Sequence, residues 1–91
     1  MKREELEKII KSDKVLDSIY CNAVANEVMF YSTNKDINKQ FAGGKAAGCV
    51  ESIISILGIE DIEEWEETHM AIFQMVSEEA WSSIEEMLEV L

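Results

Sequence analysis

Apolar residues recur along the chain at steps of three and four, and strand-like alternation is nowhere sustained, so the pattern predicts helices throughout. A first short helix is expected from Lys2 to Lys11, with Leu6, Ile9 and Ile10 on one side. Ser12-Asp13 ends it and supplies a fresh N-cap. A second helix is expected from Lys14 to about Ser32. Stepping about 100° per residue from Leu16 gathers Ile19, Tyr20, Ala23, Val24, Phe30 and Tyr31 into one arc. Glu27 falls in the middle of that arc, where a carboxylate must be paired, protonated or bound to something. Thr33-Asn34-Lys35-Asp36 reads as a polar connection.

The next stretch, DINKQFAGGKAAGCVESIISILGI, carries two apolar faces. Ile37 and Phe41 share one; Ala46, Cys49, Val50, Ile53, Ile56 and Leu57 share the other. A continuous helix would put these faces on opposite sides, so a break or kink is expected at Gly43-Gly44, where glycine makes helix costly. Ala42, Gly43, Ala47 and Gly48 are small enough for another helix to approach closely. The glycine pair lacks the spacing of a phosphate loop, and no strand precedes it. Gly58 is a natural C-terminal cap, with Ile59 placed to meet Ile54.

In the last third, Asp61 can cap a helix, with Glu64 three residues on. The apolar stripe there runs through Ile62, Trp65, His69, Ile72, Phe73, Val76, Ala80, Ile84, Met87 and Leu91. It fits one long helix, or two that meet near Ser77. Trp65, Trp81, Met70, Met75 and Met87 flank or widen the stripe beyond what one bundle face needs. The expected fold is all-α: a compact bundle of four to five helices in a single domain over 1–91, with the excess apolar surface buried in a homodimer.

Charge changes the picture. The net charge is −11, and it is concentrated in the second half of the chain. Lys45 is the last basic residue, and every Asp or Glu beyond it lacks a Lys or Arg neighbour in sequence. Such a surface repels nucleic acid and anionic membranes and attracts basic protein surfaces. No apolar run is long enough to span a bilayer. The N-terminus lacks the apolar core of a secretory signal, and Cys21 and Cys49 lack metal spacing. Both are expected as small core residues in a reducing, cytoplasmic compartment.

Two constellations could carry function. Glu60, Glu64, Glu67, Glu78, Glu85 and Glu89 fall opposite the core stripe, with Glu63 and Glu86 beside them. Carboxylates at i, i+3, i+4 and i+7 lie roughly 5–6 Å apart on a helix, close to the phosphate spacing of a nucleic-acid strand. This ridge could occupy a basic groove meant for DNA or RNA, with salt-sensitive binding. The same carboxylates could instead pair with Lys2, Arg3, Lys8, Lys11 and Lys14.

The alternative is a metal site, with iron or another divalent metal. Glu66 and His69 form Glu-x-x-His, the i,i+3 pair of ferritin-like bundles, and Glu27 adds a carboxylate from another helix. With a single His, a two-metal site needs a symmetric dimer. In this arrangement Glu27, Glu66 and His69 resemble the short half-ferritin families. A core histidine bonded to Glu27 or to a backbone carbonyl is the simpler reading of His69. Nucleophilic catalysis has no support, because there is neither GxSxG nor a Cys–His signature, so no enzyme is expected.

AAGCVESIISILGI, with its small-residue start and terminal Leu-Gly-Ile, resembles small uncharacterised acidic helical proteins from phages and prophages of low-GC bacteria. The resemblance covers residues 41–60. It implies a host-takeover or anti-defence role, such as an anti-CRISPR-like inhibitor that acts by binding. It carries no site residues over to this chain.

Overall fold

The polar joints of the sequence are where the chain turns. The computed structural model describes residues 1–90. It contains four helices: α1 Arg3–Ser12, α2 Lys14–Ser32, α3 Asp36–Leu57 and α4 Ile62–Val90. Among the described residues there is no strand. Asp13 separates the first two helices. Its carboxylate accepts hydrogen bonds from the backbone N–H of Val15 at 2.9 Å and of Leu16 at 3.1 Å, which satisfies donors that the first turn of α2 leaves free.

The core draws on every helix. Leu6 and Ile10 of α1 meet Leu16, Tyr20 and Ala23 of α2, Val50, Ile53 and Ile54 of α3, and Ile72, Met75 and Val76 of α4. The α2–α3 pair makes the broadest contact. Small residues make that possible: Ala23, Ala42 and Ala46 are fully buried. At Gly43 a Cβ would come within 3.2 Å of the Phe30 ring, so the glycine makes room for the aromatic side chain.

The expected break at Gly43-Gly44 does not occur; α3 is one continuous helix of 22 residues. The two apolar faces do point in opposite directions. The chain resolves the conflict by leaving Ile37 and Phe41 outside, 81% and 62% exposed. A helical glycine costs roughly 1 kcal/mol relative to alanine, and packing of Phe30 at Gly43 offsets part of that cost.

At its C-terminus α3 stops at Gly58, which takes a left-handed conformation with φ 73°. The Gly58 N–H donates to the Ser55 carbonyl at 3.1 Å, and that of Ile59 to the Ile54 carbonyl at 3.5 Å. A side chain in this conformation meets the following carbonyl. Gly58→Ala is therefore expected to cost about 1 kcal/mol in urea unfolding. A variant as stable as the parent would show that the turn relaxes without strain.

Of the two readings for the last third, the structure takes the single helix. α4 spans 29 residues, about 44 Å, close to the 42 Å long axis of the molecule. Asp61 caps its start by accepting from the Glu64 N–H at 3.0 Å. The expected stripe is buried only in the middle: Ile72, Val76 and Ala80 are fully buried, with Thr68 and Met75 beside them. Ile62 and Met87 at the two ends are exposed, and Leu91 lies outside the described residues. Cys21 is exposed and Cys49 half-buried, both as free thiols. Cys21 is thus not a core residue: it lies roughly 140° around α2 from Leu16, beyond the buried arc.

Candidate functional site

Along α4 the glutamates separate into two groups. Glu60, Asp61, Glu63, Glu64, Glu66 and Glu67 are all exposed around the start of the helix. Glu85, Glu86 and Glu89 are exposed at its far end. The first group suits its position, because the N-terminal end of a helix carries partial positive charge. Between the groups, Met70 and Gln74 face outward with no charge. Glu67 and Glu78 are about 16 Å apart along the axis. The ridge read from the sequence is thus two acidic patches on one rigid rod.

Glu78 stands apart from the other ridge residues. The Arg3 guanidinium of α1 donates to its carboxylate and also to Glu7 at 3.1 Å. Lys11 Nζ lies 3.8 Å from the carboxylate of Glu79. Arg3, Glu7, Lys11, Tyr20, Glu78 and Glu79 line a polar cavity of about 220 Å³ between α1 and α4. The hydrogen bond from Arg3 holds the Glu78 carboxyl below its ordinary range. That contribution is present at neutral pH and fades as pH falls through the lowered value. Both side chains are solvent-exposed, so salt screens it. Burial raises the Tyr20 phenol, and the charges of Glu79 and Glu7 raise it further. These pairs fasten α1 to α4 and remove Glu78 and Glu79 from the pool of uncompensated charge. The other seven ridge residues, Glu60, Glu63, Glu64, Glu67, Glu85, Glu86 and Glu89, make no ion pair among the described residues.

Glu27 is buried, at 3% exposure, as its place in the α2 arc requires. Its partner is Ser77 of α4, whose hydroxyl donates to the carboxylate at 3.3 Å. His69 does not meet Glu27. It is half-buried, stacks on Trp65 at 5.0 Å and meets the tilted ring of Phe73 at 5.7 Å, one aromatic residue per turn. His69 and Ser77 are about 12 Å apart along α4, which places Glu27 two turns from the imidazole. Glu66 is exposed. Among the described residues no group of three His, Cys, Asp or Glu side chains could hold a metal ion. Within one chain, Glu27, Glu66 and His69 are not brought together.

Thr68 is the residue that periodicity missed. It is buried, and among the described residues its hydroxyl has no hydrogen-bond partner. Ser77 was legible only as a candidate helix start, because a serine inside an apolar stripe does not announce which carboxylate it will meet. No helix among the described residues is long and apolar enough to cross a membrane. The chain matches no protein-family model, no curated protein and no solved structure.

Proposed function

We propose that the protein is a small acidic binding module whose α4 carboxylates dock on a basic surface of another protein. One observation carries this reading: eight exposed glutamates, the seven of the ridge and Glu66, lie on or just before a single helix that contains no Lys or Arg, and none makes an ion pair among the described residues. A rigid rod fixes the distances between those charges before binding, so little ordering cost is left to the complex. The basic surfaces that such a rod suits best are those that otherwise hold nucleic-acid phosphates. The phage-like resemblance of residues 41–60 fits an anti-defence inhibitor of that kind. No catalytic step enters this reading.

The test compares two immobilised baits in a bacterial lysate, the parent chain and Glu60→Lys/Glu64→Lys/Glu67→Lys. The parent is expected to retain a basic protein that the variant loses, with affinity falling about tenfold or more between low and physiological salt. Reversed charges at a helix start cost about 0.3–1 kcal/mol each. Thermal melts must therefore accompany the comparison, and the glutamine triple variant serves as a milder control. Identical capture by folded parent and folded variant would exclude the first acidic patch as the binding surface.

A further inference from the structure

α4 outruns its own core. Among the described residues, none after Ala80 is buried. Trp81 rests on the Tyr31 ring at 4.7 Å. Beyond it Met87, Leu88 and Val90 are 49%, 65% and 87% exposed, and Ile84 is half-buried. At about 100° per residue, these five apolar side chains spread over roughly half the helix circumference. Glu85, Glu86 and Glu89 fill the other half. Glu85 borders Trp81 and Leu88, and Glu86 borders Val90. A groove of about 590 Å³ lies among Ser83, Glu86, Met87 and Val90. The end of α4 is therefore an apolar strip with acidic margins.

A surface of opposite sign lies at the start of α3. Ile37 and Phe41 project from the side that faces away from the core. Lys45 sits over the Phe41 ring at 4.9 Å, and Lys35 is exposed just before the helix, beside the exposed Asp36. Lys39 lies about 160° around α3 from Ile37, over the Phe30 ring of α2, and is not part of this face. None of these lysines makes an ion pair among the described residues. Gly44 and Gly48 continue the same face, and a Cβ at either would meet open space. Nothing inside the chain requires glycine there, and the flat backbone lets a second helix come close. Both surfaces belong to one end of the molecule. Tyr31, which touches Trp81, lies one short connection before α3.

We infer that a second copy of this chain covers both surfaces at once. The acid-margined end of α4 lies along the lysine-margined start of α3 of the second copy, and the second copy returns the same contact about a two-fold axis. Charge selects this pairing. An α4–α4 contact would set glutamate margins side by side, and an α3–α3 contact would do the same with lysines; only the crossed contact matches opposite signs. Area favours reciprocity. One contact between helical segments of about three turns falls short of the ~1,200 Å² that stable interfaces bury, and the two-fold return doubles it. The dimer withdraws Glu85 and Glu86 from the proposed docking surface and leaves Glu60 to Glu67 to carry it. Because the first acidic patch takes no part in the dimer, the tests of the two readings alter different residues and can fail independently.

The experiment is light scattering on the eluting 91-residue chain at about 100 µM and physiological salt. The parent is expected at twice the 10.4 kDa chain mass. Lys35→Glu/Lys45→Glu puts carboxylates on both sides of each contact, and Glu85→Lys/Glu86→Lys puts lysines on both. Each is expected to elute as a monomer. Mixed in equal amounts, the two variants are expected to form a heterodimer, because one contact is then charge-swapped and the other is native. Phe41→Asp and Leu88→Asp, at sites exposed in the single chain, are expected to give helical, cooperatively melting monomers. These variants keep the test decisive if either charge variant fails to fold. A monomeric parent would overturn the inference. So would a lysine-reversed variant that stays dimeric, which indicates α4–α4 pairing or another face, or a mixture that stays monomeric.

Discussion

Replacing Ile72 with alanine is expected to lower the unfolding free energy by about 2–5 kcal/mol. Ile72 is fully buried in the middle of α4, in the cluster that joins all four helices. Loss of its side chain removes buried apolar area and leaves a cavity that neighbouring helices can only partly fill. A domain of this length holds about 5–13 kcal/mol in total, so the change removes a large share of the stability. Urea unfolding gives the value directly. Ile62→Ala is the matched control, because Ile62 is 72% exposed. It is expected to stay within about 0.5 kcal/mol of the parent. Equal losses at the two sites would mean that the buried stripe of α4 has been assigned to the wrong face.

Glu27→Met is expected to act in the opposite direction and raise stability by about 1–3 kcal/mol. The carboxylate is 3% exposed, and its hydrogen bond comes from the Ser77 hydroxyl at 3.3 Å. One long bond from a neutral donor replaces little of the hydration that a carboxylate loses on burial. Methionine has similar length and adapts to irregular space. For a domain of this size each kcal/mol corresponds to about 4–8 °C in Tm, so differential scanning calorimetry resolves the change. Ser77→Ala removes the donor and leaves the carboxylate, and is expected to cost about 1–3 kcal/mol. A destabilised Glu27→Met with an unaffected Ser77→Ala would show that the carboxylate draws its support from groups other than Ser77.

Much of the fold was legible because helix periodicity and capping chemistry are local. Asp13, Gly58 and Asp61 act at the ends of helices where their side chains or backbone freedom are useful, and each is readable from its immediate neighbours. The α2 arc was legible too, including the buried position of Glu27. The error at Gly43-Gly44 has a specific cause. Ile37/Phe41 and Ala46/Val50/Ile53 do lie on opposed faces, although Ile56, expected with the second, is 53% exposed and Ile54 is buried in its stead. A break follows only if both faces need burial. The chain instead leaves one face outside, and its helix continues through the glycines without a break.

Pairing between distant elements was less legible. The lysines and arginine of α1 were candidates for the acidic side of α4, but periodicity gave no means of choosing Arg3–Glu78 and Lys11–Glu79 over the others. Similarly, a buried carboxylate in α2 and a half-buried histidine in α4 suggested one another. Their heights along α4 differ by two turns, and the partners they find are Ser77 and two aromatic rings. The gap between Glu67 and Glu78 is legible, since residues 68–77 hold no carboxylate. That Arg3 and Lys11 engage Glu78 and Glu79, which leaves only the two ends of the ridge unpaired, is not, because a single-helix projection shows no neighbouring helix.

The most direct test of the central claim is displacement. A basic protein captured by the parent bait is loaded with a fluorescently labelled oligonucleotide, and the anisotropy is followed as the acidic protein is added. If the α4 carboxylates occupy a nucleic-acid-binding surface, the label is released as the acidic protein binds. Release should weaken with added salt and be lost with Glu60→Gln/Glu64→Gln/Glu67→Gln. An anisotropy that stays high while the acidic protein binds, or a glutamine variant that displaces as well as the parent, would contradict it.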